Sequence, residues 1–341
     1  MKAAVLETIN APLVVADVEL GELSRGQVLV KVLASGICGA QLQEIAGHKG
    51  NAKFVPHLLG HEGCGIVEKV GGGVTMVKKG DKVVMHWRKG EGIEADFPSY
   101  VYKGKKMSSG KVTTLSEYSI VSENRLTAVP PSTSNDLCAL LGCGLSTALG
   151  AIENEAKVQK GESVMVVGVG GLGASLIQAA ALFHANPIIA VDIHDKRSLA
   201  ESLGATLFIN SAQEDIKAAL EKSSIKEVNV IAETSGSGAS IRDTLPLLAG
   251  GGRYILVGQP KPGESVEILN AGHLFGGEGK SIKATQGGQF APSRDIARYI
   301  REYGSRIDTA KLVTHRTTLD RVNEAITMMR EGKAIRIMVD L

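Results

Sequence analysis

Three side chains in the first half of the chain offer metal-donor atoms from similar settings. Cys38 stands in Ser35-Gly36-Ile37-Cys38-Gly39, His61 in Gly60-His61-Glu62-Gly63, and Cys143 in Gly142-Cys143-Gly144. Each lies in a glycine-flanked turn, which suits a close and specific backbone geometry. Two thiolates and one imidazole make the three-ligand set of a catalytic zinc, with the fourth position left to water or substrate. The three are far apart in sequence, so a second reading stays open: a free cysteine is often only a small buried hydrophobe.

A second constellation lies within one stretch. The charge-free run Ser163–Val169 leads into Gly168-Val169-Gly170-Gly171-Leu172-Gly173. A small-residue helical segment follows at about 171–184, and then the apolar run Pro187–Val191, which ends on Asp192. This order is strand, glycine turn, helix, strand. Gly168 allows the tight exit from the strand, Gly170 lets the backbone approach a pyrophosphate, and Gly173 lets the helix lie close on the sheet. The helix start, from Gly171, offers free N–H groups to the phosphates. A carboxylate at Asp192 accepts from the hydroxyls of an adenosine ribose and repels a 2′-phosphate, so the pattern favours NAD. Asp195, Lys196 and Arg197 follow; of these Arg197 is the one expected to reach that ribose, the alternative being that all three only solvate a helix start. A membrane span over 163–191 is the competing reading by length. Glycines and a proline break that run, and no further span supports it.

These residues need elements to carry them. Residues 1–130 read mostly as short strands with glycine turns, a small barrel-like module. The clean alternation of Gln27–Leu33 marks a half-buried strand that delivers Cys38. The polar segment 88–112 reads as a long loop. Ser134 caps a helix with Leu137, Leu140 and Leu141 on it. Past Asp192 the chain alternates: helix 195–203, strand 205–209, helix 213–222, strand 227–232, helix 238–249, strand 253–257. Strand 281–285, helix 292–303, strand 311–314, helix 319–331 and strand 335–339 close it. That alternation predicts an α/β protein with a doubly wound parallel sheet.

Composition narrows the function classes. With 341 residues the chain is long enough for two domains, and 41 glycines suit a turn-rich α/β protein. Lys+Arg number 38 against Asp+Glu 36, interspersed, which argues against a nucleic-acid partner. The start, MKAAVLETINAP, lacks the apolar core and cleavage site of a signal peptide, and four cysteines do not make a disulfide framework. A cytoplasmic protein with no membrane partner is the expectation.

SGICG, GHEGCG, KKGDKVV, SEYSIV, LLGCGLSTALGA and VQKGESVMVVGVGGLG, in this order, resemble the zinc-dependent alcohol dehydrogenases of the medium-chain dehydrogenase/reductase superfamily, the class I and III branch most closely. The resemblance covers essentially the whole chain. It implies a GroES-like β-rich catalytic domain, residues 1–144 and 286–341, around a Rossmann NAD-binding domain, 145–285. It implies one catalytic Zn2+ per subunit on Cys38, His61 and Cys143, with Glu62 as the zinc-proximal glutamate. Thr147 and Leu172 fall where the family packs the nicotinamide ring, Arg336 where it contacts the pyrophosphate, and Trp87 on an aromatic substrate-pocket position. It also implies a homodimer or homotetramer.

Three positions depart from the family. The hydroxyl that passes the alcohol proton outward is Ala40, the relay histidine is Gln43, and the carboxylate behind the metal is Gln41. The four-cysteine structural zinc lobe is missing, since no cysteine lies between Cys64 and Cys138. Proton transfer then falls to water, a substrate hydroxyl, Glu62, or a histidine such as His57 or His86, although for either histidine an ordinary surface or satisfied side chain is the first reading. The reading is an NAD-dependent zinc oxidoreductase acting on an alcohol or carbonyl group. A polyol or sugar-like substrate would bring its own proton path. A zinc-free enone or quinone reductase and a non-catalytic NAD-binding protein are its rivals.

Overall fold

The computed structural model describes residues 1–260 and 263–341. The chain forms two compact units, Met1–Ser146 with Ala291–Leu341, and Thr147–Phe290.

The discontinuous unit is built on strand Gln27–Ile37, whose alternation QVLVKVL buries one face. On one side it pairs antiparallel with Glu62–Val70, and on the other with Ile337–Asp340; Tyr118–Ser122 also pairs with it. These registers decide where the chemistry lies. Ser35 stands opposite Gly63, so the end of one strand meets the start of the other, and Cys38 and His61 leave the sheet together. Ile37 stands opposite Ile337, which brings the preceding Arg336 to the same end. Helix Asn135–Leu141, capped by Ser134 through the Leu137 N–H, leads through Gly142 to Cys143. A Cβ at Gly142 would lie 2.9 Å from the Glu62 Cα, so only glycine lets this turn come so close. A second sheet orders Val14–Asp17, Lys2–Leu6, His57–Leu58, Lys105–Ser109, Tyr100–Tyr102 and Glu19–Leu20.

Two local expectations are corrected. Segment 88–112 is not all loop: Tyr100–Tyr102 and Lys105–Ser109 form an antiparallel hairpin. Its irregular first part is tied down by two carboxylates. Glu123 accepts from the Ile93 N–H at 2.9 Å and the Met76 N–H at 2.6 Å. Glu94 takes Asn124 at 2.8 Å and Arg125 at 3.1 Å. The strand expected at 311–314 is instead a helical turn, Thr309–Leu312, because the Asp308 side chain caps the Lys311 N–H; the strand follows at His315–Thr318.

The continuous unit is a six-stranded parallel sheet ordered Leu207–Asn210, Ile188–Asp192, Val164–Val167, Val228–Glu233, Leu248–Leu256, Ser281–Ala284. Its central strands are buried along their whole length, as strands covered on both faces must be. The order reverses between Val164–Val167 and Val228–Glu233, the switch point at which such sheets bind ligands beyond the strand ends. Helix Gly171–Leu182 starts there. Among the described residues, no single helix is long and apolar enough to cross a membrane.

Candidate functional site

The ligand atoms of Cys38, His61 and Cys143 all lie within 4.8 Å of one another. A tetrahedral ion with metal–sulfur bonds of about 2.3 Å and metal–nitrogen bonds of about 2.0 Å needs donors roughly 3.5–3.8 Å apart, so the cluster has the size and donor type for zinc. The side chains press on one another electrostatically. The Cys143 thiol donates to Cys38, which pulls the Cys38 thiol well down and pushes that of Cys143 well up. Burial opposes a charge on His61, but its hydrogen bond to Cys38 and the negative charge there more than offset this and raise its pKa.

Glu62 and Arg336 lie behind the cluster as a buried ion pair. Arg336 donates from Nη1 to Glu62 Oε1 at 2.6 Å, and Glu62 Oε2 accepts the Gly144 N–H at 3.2 Å. Two glycines make room for the pair: a Cβ at Gly36 would lie 2.3 Å from Glu62 Oε1, and one at Gly144 2.2 Å from Arg336 Nη2. Burial pushes the Glu62 carboxyl up against the pull of Arg336. With both oxygens engaged, Glu62 is positioned as a fixed charge.

Gln41 links Cys38 to His61. Its Oε1 accepts the Cys38 N–H at 2.8 Å, and its Nε2 faces His61 Nδ1 at 2.5 Å. The sequence reading missed Glu44, one turn further along the same helix. Its half-buried carboxyl is pushed up by desolvation, with His61 close enough to pull the other way. Ala40 is half-buried at the helix start and carries no hydroxyl.

The other expected residues are placed as follows. Trp87 is half-buried, its carbonyl accepts from Arg125, and Arg88 lies 5.9 Å from its ring. His57 sits in a strand with Ser108 Oγ 3.3 Å from its Nδ1, and burial lowers its pKa. His86 is fully committed: Nδ1 donates to the Arg88 carbonyl at 2.7 Å and Nε2 lies 3.0 Å from Thr127 Oγ1. Burial pushes it down to about 4.

In the continuous unit the glycines divide by role. Gly168 has φ +88°, where other residues are strained, and a Cβ at Gly173 would lie 1.8 Å from the Gly168 carbonyl oxygen. Those two serve the fold. A Cβ at Gly170 would meet nothing within 4 Å, so the fold itself does not need a glycine there. Open space over uncapped N–H groups at the start of helix Gly171–Leu182 fits an approaching phosphate. Leu172 is half-buried in the first turn of that helix, and Thr147 is buried at the start of the unit. Asp192 ends its strand, and its Oδ2 accepts the Val169 N–H at 2.7 Å. The residue against Asp192 is Lys196, at 3.4 Å; Arg197 instead stacks over Phe208 at 5.2 Å and faces Glu201.

The alcohol dehydrogenase GroES-like domain matches residues 24–131, and the zinc-binding dehydrogenase family matches residues 171–304. An S-(hydroxymethyl)glutathione dehydrogenase of Photobacterium damsela subsp. piscicida is 30% identical over 99% of each chain. Among solved structures, benzyl alcohol dehydrogenase from Acinetobacter calcoaceticus is 27% identical with a TM-score of 0.90. The match covers 100% of this chain and 99% of that one. The 2R,3R-butanediol dehydrogenase of Bacillus subtilis is 25% identical with a TM-score of 0.80, at the same coverage.

Proposed function

The chain belongs to the zinc-dependent alcohol dehydrogenases of the medium-chain dehydrogenase/reductase superfamily, and on that premise we propose the residues and the substrate through which it works. It is an oxidoreductase that moves hydride between NAD(H) and an alcohol or carbonyl group. Cys38, His61 and Cys143 hold the zinc; the observation that carries this is the convergence of their donor atoms within 4.8 Å. When bound, the ion supplies Lewis acidity at the substrate oxygen, and NAD supplies the hydride acceptor.

The chain's own residues do the rest. Glu62 and Arg336 fix the charge behind the metal ligands. Gly168, Gly170, Gly171, Leu172 and Gly173 form the phosphate cradle, with Asp192 at the ribose and Thr147 toward the nicotinamide. Ala40, Trp87 and His57 line the substrate side. The GroES-like part, 1–144 with 286–341, carries the catalytic residues, and 145–285 the cofactor. His86, spent on Arg88 and Thr127, is no proton carrier.

Ala40 has no hydroxyl to relay the proton, so the substrate alcohol loses its proton to water, to His57, or to a second hydroxyl of its own. A vicinal diol or larger polyol fits that need better than a simple alcohol. The butanediol dehydrogenase among the similar structures supports the same class. The location read from the sequence is cytoplasmic. A homodimer or homotetramer is favoured by the exposed edge strand Ser281–Ala284, which can extend its sheet with a second copy.

Metal analysis with a kinetic panel tests the core of this. One zinc per chain is expected, and Cys143→Ser should lose both the metal and at least about 10³-fold in activity. Full turnover by zinc-free protein would return the reading to a zinc-free reductase. Turnover of a 1,2-diol should exceed that of the matching mono-alcohol, and Ala40→Ser should narrow the gap.

A further inference from the structure

The carboxylate that should grip the cofactor ribose is already engaged by its own unit. Asp192 Oδ1 accepts the His194 N–H at 2.9 Å, while Oδ2 accepts the Val169 N–H at 2.7 Å and Lys196 Nζ at 3.4 Å. Lys196 also donates to the Val169 carbonyl at 3.1 Å, inside the glycine turn. Its side chain is only 16% exposed. An ammonium has three N–H donors, so one is left over. The position is unusual in a second way. Lys196 immediately precedes helix Arg197–Ser202, where Ser, Thr, Asp or Asn would cap the first turn, and it makes no cap hydrogen bond. A residue that forgoes the local helix signal and is pinned to Asp192 is placed for that contact.

A bare carboxylate at this point excludes NADP by repelling its 2′-phosphate. Here the repulsion is met by a cation 3.4 Å away. We propose that Lys196 sets the cofactor selectivity of this enzyme: it neutralises Asp192 and turns its third N–H to a 2′-phosphate, so that the chain accepts NADP(H) as well as NAD(H). This rests on the reading of the glycine turn as a dinucleotide site. It concerns only the adenosine end and needs neither zinc nor substrate.

The test is binding to the full-length protein. NADH and NADPH are titrated by fluorescence, and 5′-AMP and adenosine 2′,5′-bisphosphate by calorimetry. Wild type should bind NADPH within about tenfold of NADH. Lys196→Met should weaken NADPH and the bisphosphate by about tenfold or more, the loss expected for one charged hydrogen bond, and move NADH and 5′-AMP by less than about threefold. Lys196→Arg should restore the phosphate ligands. Two results overturn the proposal: wild type binding NADPH about a thousandfold more weakly than NADH, or Lys196→Met weakening both pairs alike, which would make Lys196 only a brace for the turn. Wild type that binds neither NADH nor 5′-AMP would instead remove the dinucleotide reading, and this proposal with it.

Discussion

In the proposed site the glycine turn at 168–173 works through backbone, whereas the Cys38–His61–Cys143 cluster works through side chains gathered from three separate turns. In the first, the proposed working groups are N–H donors at a helix start, and the sequence needs only to keep side chains out of the way: a Cβ at Gly173 would lie 1.8 Å from a backbone oxygen, and one at Gly170 would stand in open space. In the second, donors from positions 38, 61 and 143 converge because strand register and a buried ion pair hold their turns together. The contrast predicts different failures. Damage to the turn should act on binding or on close packing. Damage behind the cluster should act on stability, through buried charge.

The largest effect should come from Arg336→Met. It leaves Glu62 charged and buried without its partner, a loss of roughly 3–5 kcal/mol. Trp87, the only tryptophan, lies in the same unit and reports its unfolding. Glu62→Gln combined with Arg336→Met should recover part of the loss. Additive losses would mean that the pair is not the brace it looks to be.

Next comes the response to acid. Folded His86 is held neutral, with its pKa pushed down to about 4. The unfolded chain takes up that proton near about pH 6.5. The stabilisation from keeping His86 neutral is therefore complete above about 6.5 and is lost as the pH falls toward 4, by about 3 kcal/mol. Denaturant unfolding followed by Trp87 fluorescence at pH 7 and 4.5 measures it, and His86→Asn should flatten the slope. An equal slope in that variant would place the acid sensitivity elsewhere.

The same contrast explains what the sequence makes legible. The glycine turn was legible because its strand, turn, helix and Asp192 are contiguous, so periodicity and motif agree. The zinc cluster was legible as residue types, but its convergence needed the pairing of Ser35 with Gly63 and Ile37 with Ile337, which no local pattern encodes. The hairpin at 100–109 was hidden by its lysines and Gly104, which interrupt the apolar signal of the buried Tyr100, Tyr102 and Met107. At 309–312 a four-residue turn was decided by one cap, Asp308, against a short apolar run. Lys196 and the Gln41 amide depend on where flexible side chains point, and composition says nothing about that.

A pair of glycine substitutions separates fold from ligand within the turn. Gly173→Ala sets a Cβ against the Gly168 carbonyl oxygen and should cost about 1–3 kcal/mol by overpacking, with cofactor binding lost as the turn shifts. Gly170→Ala meets nothing in the protein, so thermal stability should hold while NADH affinity falls about tenfold from lost backbone approach. Equal destabilisation by both would end the assignment of separate roles.

The last predicted change bears on the metal itself. Ligation by His61 through Nε2 requires a proton on Nδ1, and therefore an acceptor facing that atom. Gln41 instead turns its amide nitrogen there, because its oxygen is held by the Cys38 N–H at 2.8 Å. To serve the metal-bound form the amide must turn over and give up that bond, or share one oxygen between two donors. An aspartate has no such conflict, since either oxygen accepts. Gln41→Asp should therefore raise zinc affinity by roughly ten- to hundredfold, read by competition with a chromophoric chelator. Gln41→Leu, which offers no acceptor, should lower it. Unchanged affinity in Gln41→Asp would mean that the imidazole is oriented by something other than residue 41, with Glu44, the nearby carboxylate on the same helix, the next residue to substitute.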